Sequence, residues 1–367
     1  MDKLKIHELV SEIRKTLETS AWFTPLNLSG ERDKFLSSRN YNPKFRYSDI
    51  PRAKLRDYFN QLNRIKVAPE DEKFEDRILR RKVKETLLKL QLILSRGKVD
   101  LSHVSLELYQ CDFDNKTLDL AKKDALIKGK FESKESMTPP EIVKGIQEYL
   151  KNYGIKSWQV QLTDETDFYI RILSQKNTVL VSKRFNWDFC DFDNTLAHEI
   201  DGHVIRTVNA QKQEDPLFQK PLPFYIKTEE GLASFLGDYI STTADIGRKH
   251  HALKYLAGHL ALTNSFLKVF DYLVDNGFTK DLAFQRTFRL KRGFEDTSVP
   301  GVFAKEAMYY EGMIEVKDFL DGGGDVKKLY AGKIGLTDLE YIPIPKGIII
   351  PERLKDYLSK RKKTATS

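Results

Sequence analysis

The chain has 367 residues, 40% apolar and 31% charged, with 22 Phe and 16 Tyr. That is enough apolar side chain for a sizeable core, which excludes wholesale disorder, and the length suits two to three domains or one elaborated domain. No stretch approaches the ~18 consecutive apolar residues of a membrane-spanning helix, and two cysteines, Cys111 and Cys190, can build neither a disulfide framework nor a thiolate zinc cage. Lys and Arg outnumber Asp and Glu by 61 to 53, a net charge of +8. The basic clusters at residues 77–84, 286–292 and 360–363 read as solvated faces and a disordered tail. They suit an acidic polypeptide better than nucleic acid, because no zinc-finger, RRM or helix-turn-helix signature accompanies them. The opening residues lack the apolar core of a signal peptide, so a soluble cytoplasmic protein is expected.

In chain order, the first 130 or so residues read as mainly helical. Ile6, Leu9, Val10, Ile13 and Leu17 recur at helical spacing, and residues 78–94 supply an apolar-and-basic helix. A polar stretch at 131–137 breaks the pattern. Thr138-Pro139-Pro140-Glu141 then carries a reciprocal helix cap with proline at the first helical position. Its helix is expected to stop at Gly154 and to bury Ile142, Val143, Ile146, Tyr149 and Leu150. From Ile155 the period shortens to two, so strands are expected at 158–162, 168–173 and 178–182, the last two joined by a polar turn. Asp193 or Asn194 is expected to cap the following helix, and a proline-containing loop leads to another helix near Thr228. This suggests a helical N-terminal region over 1–137, a mixed helix-and-strand core over 138–335, and a C-terminal extension with a basic tail over 336–367.

The run Leu196-Ala197-His198-Glu199-Ile200-Asp201-Gly202-His203 holds two histidines, with a glutamate directly after the first. A catalytic zinc takes three protein ligands and leaves a fourth position for water, and a glutamate beside a ligand can accept that water's proton. The familiar spacing puts the histidines four apart; here they are five apart. On a regular helix, residues four apart diverge by about 40° and residues five apart by about 140°. A π-type turn with i→i+5 bonding brings the latter onto one face, and Gly202 eases it. A wide turn is therefore predicted between Glu199 and His203; the plainer alternative is a helix ending at Asp-Gly with two unrelated histidines. Glu229 and Glu230 lie 26 and 27 residues beyond His203 and open the next helix, where acidic charge is also favourable for its own sake. Asp238 either orients a ligand imidazole from behind or, as expected here, is an exposed helix residue. His250, His251 and His259 have no carboxylate in a ligand pattern and read as structural.

The Glu-Gly-Leu-Ala run resembles a segment of the aminopeptidase N family in which the glutamate before the glycine binds zinc. That resemblance implies Glu230 as third ligand and leaves Glu229 with no more than its helix-start role. His-Glu-x-x-x-His together with Glu229-Glu230-Gly231-Leu232-Ala233 resembles the DUF1704 family of QEGLA-motif proteins, whose eukaryotic branch comprises the microtubule-associated tyrosine carboxypeptidases, which remove the C-terminal tyrosine of α-tubulin. Glu229 replaces the glutamine of QEGLA. The resemblance extends through Arg289-Leu290-Lys291-Arg292-Gly293, Asp296-Thr297-Ser298-Val299-Pro300-Gly301, Phe303-Ala304-Lys305-Glu306 and Tyr309-Tyr310-Glu311-Gly312. Upstream it includes Asn42-Pro43-Lys44-Phe45-Arg46-Tyr47 and Ser105-Leu106-Glu107-Leu108-Tyr109, so about residues 20–335 are covered. Ala304 and Glu306 stand where the pattern leads one to expect Thr and Asp.

The resemblance implies an α+β fold, with a zincin-like metallopeptidase core, a small mainly antiparallel sheet and a helical N-terminal region. It implies a zinc carboxypeptidase that releases a C-terminal aromatic residue, with His198, His203 and Glu230 on Zn2+ and Glu199 as general base. A free carboxylate calls for a guanidinium or ammonium, for which Arg292 and Lys305 are favoured and Arg289 and Lys291 also qualify. Tyr309 is the expected hydroxyl donor to the oxyanion, with Tyr310 as the alternative. Thr178–Ser182 is expected to be an edge strand that pairs with extended substrate. The partner would be a peptide or protein C-terminus, acidic if charge decides, with no membrane. The alternative is a catalytically silent regulatory protein on the same scaffold that engages an acidic partner.

Overall fold

The computed structural model describes residues 3–17, 22–38, 40–65, 73–128, 136–165, 168–183, 191–241 and 244–365. Cys190 and most of the polar break expected at 131–137 lie outside them. The chain forms two compact units, neither of them a single stretch: Met1–Ala125 with His251–Glu311, and Leu126–His250 with Gly312–Ser367. This grouping differs from a linear division at 137 and 335.

The first unit is built from helices, as the apolar spacing of its sequence requires. Helix Lys3–Thr16 buries Ile6, Val10 and Ile13, and the long helix Phe74–Leu94 buries Ile78, Leu79, Val83, Leu88, Leu90, Leu92 and Ile93. An aromatic cluster holds helices Leu28–Ser38, Phe266–Asp275 and Lys280–Lys291 together. In it the ring of Phe35 lies 5.1 Å from Phe266, 4.8 Å from Phe270 and 5.7 Å from Phe284. Lys291 is fully buried, and its Nζ donates to the carbonyls of Asn264 (2.6 Å), Val299 (2.9 Å) and Ala261 (3.4 Å). Those contacts make it a clamp on three chain segments and remove it from the candidates for a substrate carboxylate.

The second unit begins with the expected capping box. Thr138 donates from its backbone N–H and its hydroxyl to Glu141 at 2.7 and 2.8 Å, and helix Pro139–Asn152 ends before Gly154 at φ +68°. Three strands follow, β1 Gln159–Thr163, β2 Ile170–Leu173 and β3 Thr178–Ser182, in the order β1-β3-β2. The short turn between β2 and β3, with Asn177 left-handed, forces those two to pair antiparallel. β1 is left with the far edge of β3, which runs parallel to it. The sheet is therefore mixed, not mainly antiparallel, and β3 is its central strand, so it cannot serve as the substrate-pairing edge. Period-two patterning places strands but does not say which neighbours pair.

The basic tail, expected to lack structure, is instead the end of a helix, Glu352–Ala365. No helix among the described residues is long and apolar enough to cross a membrane.

Candidate active site

The histidine-bearing helix runs over residues 192–211 in three segments, Phe192–Thr195 and Ile205–Gln211 as α-helix and Leu196–Val204 as π-helix. Within it the N–H of Ile205 bonds to the carbonyl of Ile200, five residues back. The wide turn predicted from the histidine spacing is therefore present. It brings the rings of His198 and His203 to 5.1 Å, nearly perpendicular at 77°. The cap is Asp191, whose Oδ1 accepts from the N–H of Asn194 at 3.0 Å, rather than Asp193 or Asn194. Both of those side chains have other partners: Asp193 pairs with Arg353 at 3.0 Å, and Asn194 donates to the Gly237 carbonyl at 3.1 Å.

Glu230 lies on the next helix, Ile226–Phe235, which also continues into a wide turn, Leu236–Ile240. Small residues let this helix press against its neighbours. A Cβ on Gly202 would lie 2.7 Å from the Cβ of Ala233, and one on Gly231 would lie 2.3 Å from the carbonyl carbon of Gly312. The approach carries Glu230 Oε2 to 3.6 Å from Nε2 of His203 and 3.9 Å from Nε2 of His198. One ligand atom from each of the three residues lies within 4.8 Å of the others, a grouping that could hold a metal ion. Tetrahedral ligands at zinc distances of ~2.0–2.2 Å would sit roughly 3.3–3.6 Å apart, so the Glu230 oxygen, at 3.6 and 3.9 Å, is within a few tenths of an ångström of that spacing from each imidazole. The residues fit the metal.

Glu199, half-buried beside this group, has its carboxyl pushed up to about 7 by loss of hydration; Glu230 adds to that and His203 opposes it. Burial works against protonation of His203, but its hydrogen bond to Glu229 and the charges of Glu230, Glu229 and Glu199 outweigh burial and raise its pKa.

Glu229 does more than begin its helix. It is buried, accepts from Nδ1 of His203 at 3.0 Å, and is held by Arg206 at 2.5 Å and Lys333 at 2.7 Å. Burial alone would raise its carboxyl, but Lys333, Arg206 and His203 hold it well below the usual carboxylate range. Arg206, fully buried, also donates to the carbonyls of Leu329 (3.1 Å) and Ile334 (2.9 Å). An anionic acceptor behind a histidine fixes its tautomer and leaves Nε2 free to face a metal. No local pattern in the sequence joins Glu229 to Arg206 or Lys333, which come from other segments. Asp238, expected to be exposed, is 3% exposed and lies within the second wide turn.

The remaining expected site residues belong to the first unit. Tyr309 is half-buried, its ring 6.0 Å from that of His251. Tyr310 is fully buried; its hydroxyl donates to Asp124 at 2.7 Å and its ring lies 5.4 Å from Tyr255. Arg289 pairs with the buried Glu306 at 3.0 Å, with Arg286 at 3.9 Å from the same carboxylate. The guanidinium of Arg292 lies 4.4 Å over the ring of Phe303, and Lys305 opens helix Lys305–Asp321 half-buried.

A half-buried His–His–Glu group on two packed helices, with a glutamate beside the first histidine, defines a candidate hydrolytic metal centre. The family described as microtubule-associated tyrosine carboxypeptidase matches residues 33–363, and the chain belongs to that family. It is 23% identical over 340 residues to human (Homo sapiens) microtubule-associated tyrosine carboxypeptidase 1, covering 91% of this chain and 63% of the relative. The mouse (Mus musculus) protein of that name is 26% identical over 234 residues, 60% of this chain and 49% of the relative. The rat (Rattus norvegicus) protein is 28% identical over 172 residues, 45% and 36%. The chain thus spans less than two thirds of the length of these curated relatives.

Proposed function

We propose that the chain is a zinc-dependent carboxypeptidase that releases a C-terminal aromatic residue from a peptide or protein in the cytoplasm. The observation that carries this reading is the convergence of His198, His203 and Glu230 with Glu199 alongside. Zinc, held by His198, His203 and Glu230, would supply a Lewis acid and lower the pKa of a water. Glu199 would accept a proton from the attacking water and return it to the departing amine. Its raised pKa, near the working range of a general base, supports both halves of that task. His203, fixed from behind by Glu229, keeps Nε2 directed at the metal position. Tyr309 remains the hydroxyl to test for the oxyanion, since that of Tyr310 is bound to Asp124. Arg292, Lys305 and Arg289 remain the cations to test for the substrate carboxylate, with Arg289 already partly neutralised by Glu306. An acidic stretch preceding the released residue would suit the net charge of +8.

The test is metal content by elemental mass spectrometry on wild type and Glu230→Ala, followed by a peptide library varied at its last residue. About one zinc per chain, lost in the variant, with preferential release of Tyr or Phe, is expected. Zinc without turnover on any C-terminus would replace the carboxypeptidase with a silent binding protein, and a metal-free wild type would remove both.

A further inference from the structure

The wide turn between the histidines contains a fully buried carboxylate, Asp201. Its Oδ2 accepts from Nε of Arg353 at 2.6 Å and from the hydroxyl of Tyr149 at 2.8 Å. The same guanidinium donates to Oδ1 of Asp193 at 3.0 Å and to the Tyr149 hydroxyl at 3.3 Å. Arg353 comes from the C-terminal helix, 152 residues later in the chain. That helix also packs Tyr357 against Phe235 at 5.3 Å, on the helix that carries Glu230, and its first residue, Glu352, donates its N–H to the hydroxyl of Tyr153 at 3.1 Å.

Asp193 lies in the ordinary α-turn before the π-helical segment and Asp201 lies inside that segment. On a regular helix, positions eight apart point about 80° from each other. One planar guanidinium can join both only if the helix brings them toward a common face, and accommodating an extra residue in the turn does that. Arg353 thus ties the turn before the widened segment to a residue within it, across the stretch whose widening aligns His198 with His203. An ordinary α-register would pull Asp201 away and leave a buried carboxylate with its strongest partner displaced.

We infer that Arg353 is a positioning residue: the C-terminal helix, through the Arg353–Asp193–Asp201–Tyr149 cluster, holds the histidine helix in its π-register, and metal affinity depends on it. The inference rests on the metal reading for its functional consequence and on the backbone alone for its structural content. The experiment uses the full chain as wild type, Arg353→Met and Arg353→Lys, with Phe270→Leu in the first unit as a control for lost stability. Two quantities are read. Crystal structures of the metal-free proteins show whether Ile205 N–H still bonds to Ile200 O. Competition with a chromogenic chelator gives the zinc dissociation constant.

The expected result for Arg353→Met is loss of the Ile200–Ile205 bond, separation of the two imidazoles, and zinc affinity weakened tenfold or more. Arg353→Lys, whose ammonium can hold one carboxylate but not fork to two, should fall between. Phe270→Leu should lower the melting temperature with zinc affinity unchanged. Retention of the wide turn and of wild-type zinc affinity in Arg353→Met would overturn the inference. If wild type takes up no zinc, the metal reading falls, and the Ile200–Ile205 bond alone decides the role of Arg353: lost in Arg353→Met, the role stands; kept, it does not.

Discussion

Gly231 and Gly312 lie so close that neither can carry a side chain: a Cβ on Gly231 would meet the carbonyl carbon of Gly312 at 2.3 Å, and one on Gly312 would meet the carbonyl oxygen of Lys227 at 2.4 Å. Both contacts are to backbone, which cannot rotate aside. Gly231→Ala should therefore cost about 1–3 kcal/mol or more, read by urea denaturation. Because Glu230 is the adjacent residue, zinc affinity should fall as well. A Gly231→Ala protein with wild-type stability would show that the two helices separate at little cost.

Glu199→Ala separates chemistry from binding. The residue is not among the three grouped ligands, so the variant should keep its zinc and its melting temperature while turnover falls by at least two to four orders of magnitude, the range lost with a general base. Near-normal turnover with zinc retained would end the assignment of Glu199.

The Glu229 network predicts an asymmetric response to substitution. Glu229→Ala leaves Arg206 and Lys333 without their shared carboxylate, and removing one partner of a buried ion pair costs about 3–5 kcal/mol. Glu229→Gln keeps an acceptor for Nδ1 of His203 but not the charge. It should retain zinc better than Glu229→Ala while still losing stability. Equal zinc affinities for the two variants would show that the acceptor behind His203 does not matter.

Lys291 predicts a pH dependence of stability. Burial outweighs its three carbonyl acceptors and brings its pKa from 10.5 down to about 7. Between about pH 7 and 10.5 the unfolded chain holds a proton that the folded chain has released, so this lysine makes stability rise with pH across that window. Denaturation curves from pH 6.5 to 9 should show wild type gaining stability relative to Lys291→Met. A constant difference between the two proteins would refute the shift.

What could be read from sequence was what local rules determine. Thr138 and Glu141 announced their helix because a capping box involves residues three apart. The five-residue histidine spacing announced its wide turn because helix geometry allows no other way to align the pair. The role of Glu229 was missed because its partners Arg206 and Lys333 come from segments with no local link to it. Arg353 was unreadable for the same reason: nothing at position 353 points to a carboxylate at 201. The mixed sheet was missed because alternation in β1 is satisfied equally by a parallel or an antiparallel neighbour.

The extra residue in the histidine helix is absorbed where it occurs. One residue adds about 100° of rotation on a regular helix, and the widened turn takes that up, so the half-helix beyond His203 keeps its phase relative to both imidazoles. Arg206 meets Glu229 and the carbonyls of Leu329 and Ile334 in that orientation, and Asn209 donates in it to the carbonyls of Tyr330 and Ile349. If the same sequence ran as ordinary α-helix through Gly202, both polar side chains would rotate off their partners together with His203. The wide turn therefore holds the buried polar contacts beyond the site as well as the histidine pair.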